Sequence, residues 1–128
     1  MTKYAIDAYA WIAYLEGNDE GLAVKEILES EDNKLYTSAV TFAEVISKLM
    51  RQNKNTSAAK EAIFTLSKVI PVDYTTAENA AKHHAFVRNK VKNFGLADAF
   101  IMAMADALQL KIVTRDQHFK HFKNVVFI

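Results

Sequence analysis

Five short apolar runs punctuate this chain, and between them apolar residues recur at helical spacing. The runs are Lys3-Tyr4-Ala5-Ile6, Lys34-Leu35-Tyr36-Thr37, Val69-Ile70-Pro71-Val72, Lys111-Ile112-Val113-Thr114 and Val125-Val126-Phe127-Ile128. Each has the length of a buried strand. Pro71 suits an edge or a strand end, because proline cannot donate to a ladder. Helical spacing predicts a helix over Ala8 to Leu15, with Tyr9, Ile12 and Ala13 inward and Trp11 and Leu15 widening the face. Gly17 is its expected stop. A second helix spans Glu20 to Ser30 with Leu22, Val24, Ile27 and Leu28 inward. A third, capped by Ser38, runs from Ala39 to Met50 on a stripe of Phe42, Ala43, Ile46, Leu49 and Met50. Thr56 caps a fourth, to about Ser67, and Thr75 or Thr76 caps a fifth, to about Lys92. Asp116 to His121 reads as a helical turn. Strands alternating with helices predict an α/β sandwich with a mainly parallel sheet.

One helix differs from the rest. Every residue from Ala99 to Ala105 is apolar, and a helix apolar on all sides is a buried helix. Asp98 stands at its head. An ionised carboxylate tolerates burial only beside a cation or a set of hydrogen-bond donors. The helix N-terminus offers unpaired N–H groups and partial positive charge. Asp98 is therefore either a helix cap or a site residue facing a cavity.

Composition narrows the class. The 128 residues fit one domain, 1–128, and the 3 Gly and 1 Pro leave no flexible linker. Cysteine is absent, which excludes disulfides, thiolate catalysis and cysteine metal sites. A reducing cytoplasm is the expected compartment. The apolar start stops at Asp7, so no signal peptide is expected, and no run is long enough for a membrane span. A formal net charge of +1 excludes a strongly basic nucleic-acid binder but not an enzyme that meets a phosphate backbone briefly.

Open α/β sheets place their sites beyond the carboxyl ends of the strands. Asp7 directly follows the first strand, Asp116 lies two residues past Val113-Thr114, and Asp98 opens the helix leading into that fourth strand. Topology therefore brings these acids to one sheet edge. Three converging carboxylates with no evident basic partner suit a hard divalent cation, Mg²⁺ or Mn²⁺. Asp106 lies two helical turns beyond Asp98 and is left out of the site. His83, His84, His118 and His121 show no metal-ligand spacing, and no Ser-His-Asp set or phosphate-binding glycine loop is present.

The chain resembles the PIN-domain ribonucleases, and among them the short VapC-type toxins of toxin–antitoxin pairs. The resemblance covers nearly the whole chain. It is carried by the strand ending in Asp7, by Thr41-Phe42-Ala43-Glu44-Val45, by Gly95-Leu96-Ala97-Asp98-Ala99-Phe100-Ile101 and by Val113-Thr114-Arg115-Asp116-Gln117-His118-Phe119. It implies a three-layer α/β/α sandwich around a mainly parallel sheet of about five strands. It also implies Mg²⁺-dependent endoribonuclease activity, with Mn²⁺ as a substitute. Asp7 and Asp98 would be the principal metal ligands, Glu44 and Asp116 would complete the cluster, and Thr114 would be a hydroxyl that orients the carboxylates. Glu44 enters on the resemblance alone, since a Glu on a helix shoulder ordinarily faces solvent. The family often carries Ser or Thr soon after the first Asp; here Ala8, Tyr9 and Ala10 follow.

The implied partners are an RNA substrate, a cognate antitoxin and a second copy of the chain, with no membrane. Arg115, Arg88, Lys90 and Lys92, with Lys82, are candidates to meet RNA phosphates. Trp11, Tyr14 and Leu15 are candidates for a dimer contact, and core packing accounts for them equally well. Alternatives are a housekeeping RNA-processing nuclease, a structure-specific DNA nuclease and an inactive binding module. The chain lacks added modules to hold a duplex, and its acids are intact. A receiver-like signalling domain needs paired acids after the first strand, where Asp7 stands alone.

Overall fold

The structure is a computed structural model and describes residues 1–120 and 122–128. Elements follow in the order β1 (Thr2–Ile6), α1 (Ala8–Glu16), α2 (Asp19–Leu28), β2 (Asn33–Ser38), α3 (Ala39–Arg51), α4 (Ser57–Leu66), β3 (Lys68–Ile70), α5 (Tyr74–Arg88), α6 (Leu96–Leu108), β4 (Lys111–Thr114) and β5 (Val125–Phe127). The five strands form one sheet in the order β3-β2-β1-β4-β5. All four pairings are parallel. The three-layer α/β/α sandwich expected from the sequence is therefore present, and β3, which precedes Pro71, is an edge strand.

The layers follow from strand alternation, in which successive side chains face opposite sides. Ile6 and Val113 join Trp11, Val24, Val45 and Ile63 in the core beneath α1 to α4. Their neighbours Ala5 and Ile112 join Phe94, Ala99, Ile101 and Met104 beneath α5 and α6. Both faces of β1 and β4 are thus covered, which is why these strands read as continuous apolar runs. Trp11 is fully buried and its indole N–H donates to Thr37 Oγ1 at 3.0 Å, so it is a core residue and not a dimer contact.

Local chemistry sets the junctions. Gly17 ends α1 in the left-handed region at φ 69°, where glycine alone carries no Cβ penalty. Gly21 is buried against α1: a Cβ there would lie 2.2 Å from the Ala13 carbonyl oxygen. Its missing side chain lets α2 close onto α1.

Several helix details differ from the sequence reading. Asp73 caps α5 by accepting from Thr76 N at 2.8 Å, two or three residues before the predicted Thr75 or Thr76. Thr56 makes no side-chain cap. Leu22 is exposed on α2. The buried row of α3 is Thr41, Val45 and Leu49, flanked by half-buried Phe42 and Ile46, while Ala43 and Met50 face out. The inward stripe is rotated because a small buried threonine, which periodicity counts as polar, lies on the sheet. The predicted turn at Asp116 is a 3-10 turn over Gln117–Phe119. His121 lies outside the described residues.

Candidate metal centre

Asp7 sits where β1 ends and α1 begins. Its backbone N–H donates to Val113 O at 3.1 Å, which extends the β1–β4 pairing by one step. Its Oδ1 accepts from Ala10 N at 3.0 Å and caps α1. Its Oδ2 accepts a short hydrogen bond from Thr114 Oγ1, at the end of β4. Only 3% of Asp7 is exposed. Burial pushes its carboxyl from an ordinary 3.8 up to about 6, against the lowering effect of Thr114 and Ala10; the charges of Asp116 and Asp98 push the same way as burial.

Thr114 links two acids. Its hydroxyl donates to Asp7 and accepts from Asp116 N at 2.9 Å. Asp116 in turn accepts from His118 N at 2.9 Å and opens the 3-10 turn. Thr114 thereby supplies the hydroxyl support that Ala8, Tyr9 and Ala10 do not.

Asp98 takes part in the cap of α6 without being its N-cap. The N-cap of α6 is Gly95, and Asp98 is the third helical residue. Its Oδ2 accepts from Gly95 N at 2.9 Å, the returning half of a capping box. The same side chain is also directed at the cluster. Its Oδ2 lies 3.3 Å from His118 Nδ1, and Asp116 Oδ1 lies 3.3 Å from that nitrogen. Burial raises the Asp98 carboxyl first; the Gly95 N–H opposes that, the charge of Asp116 adds to it, and His118 lowers it.

Glu44 projects from α3 at the rim of this group. Partial withdrawal from water raises its carboxyl from 4.5 to about 7, with Asp98, Asp7 and Asp116 adding in that order. The four acids named from the sequence therefore converge, Glu44 the most open to solvent.

His118 is the residue that sequence reasoning set aside. One ligand atom each from Asp98, Asp116 and His118 all lie within 4.8 Å of one another. The Asp-x-His interval looks uninformative on an α-helix, but the 3-10 turn folds the ring back over Asp116. The donor set is dominated by carboxylate oxygens, which fits a hard divalent cation; burial is the first cause of the raised carboxyls, and the acids' mutual charge adds to it.

The basic candidates are less uniform. Arg115 Nη1 is 2.7 Å from Glu20 Oε2, and Lys82 pairs with Glu78 at 3.4 Å. Lys90 Nζ lies 5.2 Å over the Phe86 ring. Arg88 and Lys92 are exposed, with no carboxylate partner among the described residues. Asp106 is exposed and lies 2.7 Å from His83 Nε2, away from the cluster.

A family model for the PIN domain matches residues 4–125. The chain belongs to the PIN-domain family, a class of nucleases that use divalent metal. Its fold is shared with solved toxins. Mycobacterium tuberculosis VapC20, described as a Sarcin-Ricin loop cleaving toxin, is 20% identical over 95% of this chain and 96% of its own, with a TM-score of 0.76. VapBC2 from Rickettsia felis, bound to a DNA fragment from its promoter, is 17% identical over 99% and 98%, with a TM-score of 0.76. A toxin–antitoxin complex from Klebsiella pneumoniae is 21% identical over 96% and 95%, with a TM-score of 0.69. Among curated proteins, none matches this chain by sequence. No helix among the described residues is long and apolar enough to cross a membrane.

Proposed function

We propose that this chain is an Mg²⁺-dependent endoribonuclease and the toxin of a toxin–antitoxin pair. The observation that carries the reading is the convergence of Asp7, Glu44, Asp98 and Asp116 at the carboxyl edge of β1 and β4, three of them with raised carboxyl pKa. Asp7, Asp98 and Asp116 would hold the ion, with Glu44 completing the set and His118 alongside. Bound there, Mg²⁺ would supply charge neutralisation for a scissile phosphate and acidify a water; water attack would give 5′-phosphate and 3′-hydroxyl products.

The chain's own residues do the positioning. Thr114 and the Ala10 N–H fix the Asp7 carboxylate in one orientation. Gly95 N–H fixes Asp98. Glu44, at the open rim, or Asp116 would take a proton from the attacking water. Arg88, Lys90 and Lys92, on the segment leading into Asp98, are proposed to meet RNA phosphates outside the reacting bond.

Toxin–antitoxin assemblies share the fold, which supports an antitoxin as the partner; a homodimer is proposed as the toxin's own state. The partner would silence the site by placing a basic side chain, most simply an Arg whose planar fork matches carboxylates, into the acid cluster. The test is cleavage of labelled RNA and of single- and double-stranded DNA by the purified protein, in Mg²⁺ and in EDTA. Metal-dependent cleavage confined to RNA is expected. Cleavage of duplex DNA, or equal rates in EDTA, would overturn the reading.

A further inference from the structure

A groove of about 470 Å³ runs beside α3 and the start of α1, with Glu44 the one acid of the cluster in its lining. Glu44, Lys48 and Arg51 line it from α3. At intervals of four and three residues they share one helix face. Lys48 therefore lies about 6 Å from Glu44 along the axis and Arg51 about 10 Å. Tyr9 lines the facing side, two residues beyond Asp7, and is 50% exposed. Lys48 Nζ lies 5.9 Å from the centre of the Tyr9 ring. Among the described residues neither Lys48 nor Arg51 has a carboxylate partner. Ala8 and Ala43 also line it.

From this geometry we infer a nucleotide subsite: one base of single-stranded RNA stacks on Tyr9 while Lys48 and Arg51 hold the phosphates leading away from the acid cluster. The inference rests on the ribonuclease reading above and gives it a direction, because the strand would run along α3. An exposed aromatic ring beside unpaired cations suits single-stranded nucleic acid, in which each base has a face to stack and each linkage a charge to neutralise. The cations begin one turn beyond Glu44, so a strand held by them presents its next phosphate to the carboxylates. Stacking tolerates any base, so this subsite contributes affinity and register more than sequence choice.

The test uses the full chain carrying Asp98→Asn, with Mg²⁺ present, and a fluorescein-labelled 12-nucleotide oligouridylate read by anisotropy. Adding Tyr9→Ala should weaken binding about tenfold, and Tyr9→Phe should restore it. Lys48→Gln and Arg51→Gln should each weaken binding and flatten the slope of log affinity against log salt by about 0.7. RNA affinity and salt slope unchanged in all these variants would overturn the subsite and leave the groove to a polypeptide. No binding by the Asp98→Asn parent would overturn it as well. Cleavage by the unmutated chain is scored separately: if RNA is cut but these variants bind normally, only the subsite fails.

Discussion

Helix α6 carries two aspartates, and their fates differ completely. Asp98, near its N-terminus, is half-buried, capped by Gly95 N–H and surrounded by Asp7, Asp116 and His118. Asp106, near its C-terminus, is exposed and paired with His83 beside a cavity of about 660 Å³. That cavity opens at the other end of β4, against Lys111, Ile112 and Asn124. It is larger than the groove beside Glu44, yet a single carboxylate lines it. Volume alone does not locate chemistry. Several acids held close with their carboxyls pushed up, and with hydrogen bonds already orienting them, mark a site prepared for charge it does not itself contain.

That contrast can be broken most directly by activity. Asp98→Asn should reduce Mg²⁺-dependent RNA cleavage on the order of a thousandfold or more, while Asp106→Asn should cleave at the unmutated rate. Initial rates on a labelled RNA decide it, and a matched loss in both variants would erase the distinction.

The next effect is on stability and pH. Without metal the fold favours the protonated form of Asp7, whose pKa is raised from 3.8 to about 6. The stability it contributes is fully present below about pH 4 and is lost as pH rises through about 6. The loss for this one buried group is up to about 3 kcal/mol, and Glu44 extends the window to about pH 7. Urea unfolding in EDTA at pH 4.5 and pH 8 should show the protein weaker at the higher pH. Asp7→Asn should flatten that difference, and an unchanged difference would contradict it.

Thr114→Val removes the hydroxyl between Asp7 and the Asp116 N–H. It should cost about 1–3 kcal/mol in the same unfolding experiment at pH 8, and it should lower the cleavage rate. Thr114→Ser should recover both, since it keeps the hydroxyl. The smallest effect belongs to the far end. Asp106→Asn should change stability by less than about 1 kcal/mol, the usual scale of an exposed ion pair.

Most of this was legible in the chain. Lys111-Ile112-Val113-Thr114 forms a strand over the very residues its apolar run marks. The strand-end position of Asp7 and Asp116 follows from parallel topology. What escaped was geometry that periodicity does not carry. Leu22 is apolar yet exposed, because the buried face of α2 runs through Gly21, Val24 and Leu28. Thr41 is polar yet wholly buried and turns the α3 stripe. His118 reaches the acids only through a 3-10 turn, which one residue pair in sequence does not announce. Glu44 is named on its motif alone, since nothing in helical spacing sets it apart from a solvent-facing acid.

Occupancy of the proposed four-acid cation site would be linked to folding, and Asp98 is its most direct probe. Thermal melts in EDTA and in Mg²⁺ at fixed ionic strength, for the unmutated chain, Asp98→Asn and Asp106→Asn, test it. At a hundredfold excess over the dissociation constant, binding to the native state alone stabilises by about 2.7 kcal/mol, a rise on the order of 10 °C for a domain of this size. The unmutated chain and Asp106→Asn should show that rise, and Asp98→Asn should lose most of it while melting in EDTA no lower than the unmutated chain. Equal metal-induced shifts in all three proteins would contradict the site.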